Sequence, residues 1–228
     1  MLYTPESAKA NIRNRDGKRV FYLGENDRLT ASARDYLHRE NIEILPASQA
    51  KPEQYQLLGG GFVTEKPEHM THLNAQVLVS KTHPRIAFRG AMDTLEAELL
   101  LCQACAGEML REQLGQVLQL ARNIIRWDVL EEPVEEKPLC GLTLRQLREH
   151  SHRPQDFYGQ PHFMPQWSDG AVILQLNRAR CAARNAELKA VQAFTDREGA
   201  PTREDLLTAL NRMSSMLYIL MIQEKAKK

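Results

Sequence analysis

The sequence predicts a mainly α protein: a five-helix bundle with a small strand–helix–strand extension at its N-terminus. Two observations carry the helical part. Apolar residues recur every three to four positions through four long stretches, and proline- or glycine-bearing segments separate them. The third lies near the N-terminus, where two short runs rich in β-branched and aromatic residues flank one helical pattern.

Taken in order, residues 1–16 show no regular pattern and are expected to be irregular. "RVFYLG" (19–24) reads as a strand ending at a glycine, and "IEILP" (42–46) as a second. Between them "RLTASARDYLHREN" (28–41) reads as a helix, with Thr30 as N-cap and Ala33, Tyr36 and Leu37 on one face. The stretch 47–69 is linker-like, with two prolines and three consecutive glycines, so the extension and linker are placed at 1–63 and the bundle at 64–228. In the bundle, Ala91, Leu95, Leu99 and Cys102 define a helix over about 88–106. Leu110, Leu114, Val117, Ala121 and Ile124 define one over 108–130. "TLRQLREHS" is a short helix, and "HRPQDFYGQPHFMPQWSDG" a long irregular loop of the kind that is often functional. The last two helices are placed at 171–194 and 202–224, the second opened by a capping pair, Thr202 and Asp205.

Composition narrows the function. The chain has 228 residues, 43% of them hydrophobic, enough for a core. Its net charge of +1 gives no global reason for a nucleic-acid partner. No apolar run reaches the roughly 18–20 residues of a membrane span, and the first twenty residues lack a signal peptide's apolar core. A cytoplasmic location is expected, and with it reduced thiols. Cys102 and Cys105 form a lone CxxC in an apolar helical pattern, which reads as core packing rather than a zinc site.

Several residues allow two readings. Lys81, His83, Arg85 and Arg89 crowd the start of a helix, where the macrodipole is already positive; either they face water or an anion sits among them. Arg180, Arg184 and Glu187 share a face at i, i+4 and i+7: a solvated face, or a bridge for a polyphosphate. Asp93 either pairs locally with Arg89 or, half-buried, takes an arginine such as Arg180 or Arg184 from another helix. Asn211, Ser215 and Tyr218 form a polar stripe that serves either a helix contact or a ligand. His69 and His72 would share a helix face, and with His83 raise a metal, but no carboxylate frame accompanies them.

Four motifs occur in order: "KPEHMTHLNAQVLVSKTHPRIAFRGAMDTLEAELL", "HFMPQWSDG", "RCAARNAE" and "LTALNRMSSMLYILMI". Together they resemble the ATP:corrinoid adenosyltransferases of the propanediol-utilization type, nearest to the ethanolamine-utilization branch. "KRVFYLGENDRLTASARDYL" also resembles that branch's N-terminal extension. The resemblance implies a five-helix bundle assembled as a homotrimer, with active sites between subunits. It implies ATP, Mg²⁺ and reduced cobalamin as reaction components, a reductase as a further partner, and association with a bacterial microcompartment. Ser80, Lys81 and Arg85 match the phosphate-contacting segment, and Asp93 an aspartate that pairs with an arginine. Arg180, Arg184 and Glu187 match an "R-x-x-x-R-x-x-E" pattern, and Asn211 an asparagine placed against ATP and cobalamin. Phe163 matches the residue under the lower face of the corrin, which keeps the base off cobalt.

The sequence departs from the family in two places. The glycine-rich nucleotide loop of the larger family is replaced by "MTHLNAQ", of which Thr71 is the residue kept as an ATP contact. The cysteine metal site carried by part of the ethanolamine branch is replaced by "QYQLLGGGFVTEKP", so no protein-bound transition metal is expected. The competing reading is a non-catalytic helical interaction protein of a microcompartment.

Overall fold

The computed structural model describes residues 1–15, 17–50 and 54–227. It divides into two compact units, one of residues 1–54 with 63–65 and one of 55–62 with 66–228.

The first unit contains β1 (Leu2–Tyr3), α1 (Pro5–Ala10), β2 (Ile12–Arg15), β3 (Lys18–Leu23), β4 (Arg28–Leu29), α2 (Ala31–Arg39) and β5 (Glu43–Pro46). β3 is the central strand of its sheet. It runs antiparallel to β2, with Phe21 opposite Ile12, and parallel to β5, with Phe21 opposite Ile44. Helix α2 makes the crossover that a parallel pair requires. Thr30 Oγ1 accepts from the Ala33 N–H at 3.1 Å, the N-cap expected from sequence. Ala8, Phe21, Ala33, Leu37 and Ile42 form the core. Residues 1–15 are not irregular as expected. β1, α1 and β2 are too short to show periodicity, and α1 is secured by a capping box between Thr4 and Ser7.

The linker reading of 47–69 is also corrected. The chain forms β6 (Tyr55–Leu57) and β7 (Phe62–Val63), then β8 (Met70–His72) and β9 (Val77–Ser80). The glycine run makes a turn: Gly60 and Gly61 hold φ of 98° and 87°, and the Leu57 N–H reaches the Gly61 carbonyl at 3.0 Å. β9 pairs in parallel with β6 and antiparallel with β8. His72 therefore lies on a strand, not on a helix face shared with His69. Residues 51–53 of the linker fall outside the described residues.

The rest of the second unit is helical: α3 (Pro84–Cys105), α4 (Glu108–Leu130), α5 (Leu144–His152), α6 (Pro154–Tyr158), α7 (Ala171–Ala193) and α8 (Glu204–Ala226). α3 starts four residues earlier than the apolar pattern indicated. Pro84 fits the first turn, and His83 Nδ1 caps it by accepting from the Arg85 N–H at 3.2 Å. α8 is the most enclosed helix, with eleven buried residues from Leu206 to Ile222. Its expected Thr202–Asp205 cap is absent: Thr202 Oγ1 donates to the Phe194 carbonyl, and Asp205 accepts from Arg203 and from the Val134 N–H. The expected irregular loop holds α6 and a 3-10 turn, Trp167–Asp169. Cys102 is buried as expected, whereas Cys105 is exposed.

α3 and α7 run antiparallel. Phe88 meets Phe194 edge-on at 5.5 Å between centroids, while further along Glu98 pairs with Arg178 at 2.8 Å. α7 and α8 run antiparallel as well, with Asn211 against Glu187. Among the described residues no helix is long and apolar enough to cross a membrane.

The electrostatic centre of this frame is Asp128, fully buried on α4. Arg85 Nε donates to its Oδ1 at 2.9 Å and Arg89 Nε to its Oδ2 at 2.7 Å, while Arg85 Nη2 reaches its carbonyl at 2.7 Å. One carboxylate is thus shared by two cations of α3 and ties them to the end of α4, with Glu131 a second acid for Arg85 at 3.4 Å. Asp128→Ala removes the buried partner of both guanidiniums and is expected to cost about 3–5 kcal/mol in urea unfolding. A loss within experimental error would show that the contact is solvated and unimportant.

Candidate active site

The antiparallel pairing of α7 with α8 builds a seam of polar side chains. Along it Glu187 Oε1 accepts from Asn211 Nδ2 at 2.9 Å, and Arg180 lies over the Tyr218 ring at 5.9 Å. Two adjoining recesses of about 250 and 490 Å³ open along this seam and share Arg180, His162 and Tyr218. The first is also lined by Arg184 and Ser215, the second by Phe163, Asn177 and Met221. Of the polar stripe of α8 read from sequence, Ser215 and Tyr218 wall this cleft, with Tyr218 shared by both recesses.

Positive charge is in excess along the seam. Arg180 donates to the Asn177 amide oxygen at 3.0 and 3.3 Å, and no carboxylate partner is found for it among the described residues. Arg184 has no hydrogen bond or ion pair among the described residues. By contrast, Arg85 and Arg89 share Asp128, Arg178 holds Glu98, and Arg203 holds Asp205. Two guanidiniums one turn apart repel; an anion with several oxygens removes that repulsion and uses both forks.

His162 closes one side. Its Nε2 lies 3.1 Å from the His152 carbonyl, and its Nδ1 lies 2.9 Å from the Tyr218 hydroxyl. A carbonyl only accepts, so Nε2 carries the proton; Nδ1 of the neutral ring then accepts from Tyr218. The rings stack at 12°. On the next residue, Phe163 faces the wider recess, with Lys225 Nζ 5.5 Å from its ring centroid.

The structure brings together Arg180, Arg184, Glu187, Asn211 and Phe163. It sets the other sequence candidates elsewhere. Thr71 lies on β8 opposite Val79. Ser80 ends β9, where its Oγ accepts from the Thr82 N–H; Lys81 is exposed beside it. Arg85 is a correction: its guanidinium is committed to Asp128 and reaches Glu131, so in this structure it is not open to a phosphate. Asp93 is a second correction. It is exposed rather than half-buried, and within the chain it meets neither Arg89, Arg180 nor Arg184. The carboxylate that α3 does bury against α7 is Glu98.

His83 serves as a helix cap, and among the described residues no group of three His, Cys, Asp or Glu side chains is placed to hold a metal ion. Sequence reasoning missed His162, His152, Asp169 and Lys225. Their one signal was position: His162 adjoins Phe163, and Lys225 continues the helical stripe from Asn211 through Tyr218.

The seam thus sets two arginines without a carboxylate partner among the described residues beside an aromatic-lined recess, an arrangement that could hold an anion next to an apolar group. The family model for cobalamin adenosyltransferases matches residues 62–224. The chain is 31% identical to the corrinoid adenosyltransferase EutT of Salmonella typhimurium strain LT2, covering 96% of this chain and 90% of that protein. It is 30% identical to EutT of Escherichia coli K12 over the same shares. Among solved structures, a variant of the PduO-type ATP:corrinoid adenosyltransferase from Lactobacillus reuteri complexed with ATP aligns with a TM-score of 0.50 at 18% identity. That alignment covers 68% of this chain and 88% of that one. A second variant of that enzyme, complexed with cobalamin and ATP, gives a TM-score of 0.50 over 75% of this chain and 87% of that one. The chain belongs to the cobalamin adenosyltransferase family.

The cap at α3 also sets a pH dependence. Burial first, then the charges of Arg85 and Arg89, hold the pKa of His83 below its ordinary value. Its contribution to stability is complete above the unfolded pKa of about 6.5 and is lost as pH falls through the depressed folded value. His83→Asn keeps an oxygen acceptor at the cap but cannot titrate. Thermal melts from neutral to mildly acidic pH should show a shallower loss in this variant; parallel curves would remove His83 as the cause.

Proposed function

We propose that the protein transfers the 5′-deoxyadenosyl group of ATP to the cobalt of cob(I)alamin, making adenosylcobalamin for ethanolamine utilization. The observation that carries this reading is the arginine pair Arg180 and Arg184, without a carboxylate partner among the described residues and set beside the aromatic recess of Phe163. Cob(I)alamin supplies the nucleophile: a Co–C5′ bond forms, the C5′–O bond breaks, and the electrons leave with the polyphosphate. No side-chain base is required, because no proton moves in that step. The protein's work is to hold C5′ in line with cobalt and to stabilise charge on the leaving group.

Arg180 and Arg184 would hold the polyphosphate, with Glu187 and Asn211 fixing the end of the seam. Mg²⁺ comes in on the nucleotide, where phosphate oxygens and water make up most of its shell. Glu187 would be a carboxylate for it on the arginine face, held there by Asn211 at Oε1. Phe163 would sit under the corrin and exclude the lower axial base, easing reduction of cob(II)alamin by a partner reductase.

The antiparallel helices favour a shared site. Residues at the start of α3, including Arg85, lie against Phe194, at the far end of α7 from the arginines. At 1.5 Å per residue, Arg184 and Arg180 stand about 15–20 Å back along that axis. Thr71, Ser80 and Lys81 therefore fit the triphosphate of a neighbouring subunit's arginines better than their own. The same holds for exposed Asp93, which is free to meet an arginine across a boundary. This suits an assembly with sites between subunits, which we take to be a homotrimer of five-helix bundles, with the extension limited to residues 1–54 and 63–65. We place it in the cytoplasm, in association with a microcompartment.

Purified protein given ATP and cob(I)alamin should form adenosylcobalamin, followed by absorbance. Arg180→Ala should lower turnover by about 100-fold or more, as removal of one preorganised charge donor does elsewhere, with little change in melting temperature. No turnover by the unmodified protein under strong reductant would refute the assignment, and equal losses of turnover and stability would make Arg180 a structural residue.

A further inference from the structure

Phe163 can exclude an axial base only if its loop holds it in the cleft, and the structure shows two anchors. One residue before it, His162 is fixed between Tyr218 and the His152 carbonyl. Six residues after it, Asp169 is 4% exposed and ends the 3-10 turn. Its Oδ2 accepts from the Gln166 N–H at 2.7 Å, and its Oδ1 pairs with Lys225 Nζ of α8. The Lys225 ammonium also lies over the Phe163 ring. Tyr218, Met221 and Lys225 follow one face of α8, so the lysine continues the wall of the cleft.

A carboxylate this buried needs a counter-charge. A cation paired with it could have come from any neighbour; here one comes from the residue whose ammonium lies over Phe163. We propose that the Asp169–Lys225 pair is a tether that sets Phe163 in the cleft, making Lys225 a positioning residue for corrinoid activation. Lys225 does not touch the reacting atoms. It draws the loop to the last turns of α8 and covers the outer face of the ring, leaving the inner face to the corrin. The inference rests on the proposed role of Phe163.

The test uses full-length protein with ATP and cob(II)alamin, read by electron paramagnetic resonance, which separates cobalt with and without a lower axial ligand. Unmodified protein should give the ligand-free signal and Phe163→Ala should lose it. Lys225→Met should reduce the signal by about fivefold or more, with the KM for ATP held within about twofold, a split that marks positioning rather than binding. Lys225→Arg, which keeps the cation, should restore most of it. A full signal in Lys225→Met, or an arginine variant as poor as the methionine one, overturns the tether. If Lys225→Met does not fold, Asp169→Asn is read in the same way, and a full signal there has the same consequence. Should Phe163→Ala match unmodified protein, it is the role of Phe163 that fails; loss in Phe163→Ala with none in Lys225→Met removes the tether alone.

Discussion

Two cations on one helix face, with no acid paired to them among the described residues, constrain the rest of the seam. Elsewhere Asp128 is shared by Arg85 and Arg89, Glu98 pairs with Arg178, and Asp205 pairs with Arg203. Arg180 and Arg184 have no such acid, and neither does the part-buried Arg212 nearby on α8, which donates to Asn211. Arg180 is held by an amide and an aromatic ring, groups that orient a guanidinium without cancelling its charge. Glu187, the nearest acid on the same face, is engaged by Asn211. The arrangement keeps the positive potential available, which is how a preorganised site stabilises charge that develops elsewhere.

Helix direction then decides where the rest of the machinery can act. Because α3 runs opposite to α7, the cations at the start of α3 lie near the end of α7 and away from the arginines in its middle. The positive cluster that opens α3 is resolved in two ways. Arg85 and Arg89 are turned inward to Asp128, where they fasten α3 to the end of α4. Ser80 and Lys81 stay at the exposed end of β9. A segment that looks uniform as a string of charges is thus part scaffold and part candidate binding edge.

Much of the frame was legible in the sequence because long helices write their period plainly. The α4 boundaries and the Thr30 cap follow directly from apolar spacing and cap chemistry. So do the strands around Phe21 and Ile44. Short elements were not legible: β1 and α1 are held by pairing and by a capping box, which leave little trace in composition. The arginine pair, Glu187, Asn211 and Tyr218 were readable as one face each on two helices, and the structure joins those faces. The pairings of Arg85 and Arg89 were not legible. Spacing within a helix tells which residues share a face, but not which acid from another helix will claim them. Asp128, buried 43 positions beyond Arg85, was that acid, and it takes Arg89 from Asp93. Lys225 and Asp169 were hidden similarly, 56 positions apart.

The central claim is that the Arg180–Arg184 pair is kept unneutralised to hold a polyphosphate. Calorimetric titration of tripolyphosphate, which carries no adenosine and so reports the anion site alone, measures this directly. Saturable binding by the unmodified protein is expected. Arg184→Met should weaken it by about tenfold or more, the loss of one charge-assisted contact, with the melting temperature nearly unchanged. Equal tripolyphosphate affinity in the two proteins would contradict this claim, and would return both arginines to a solvated helix face.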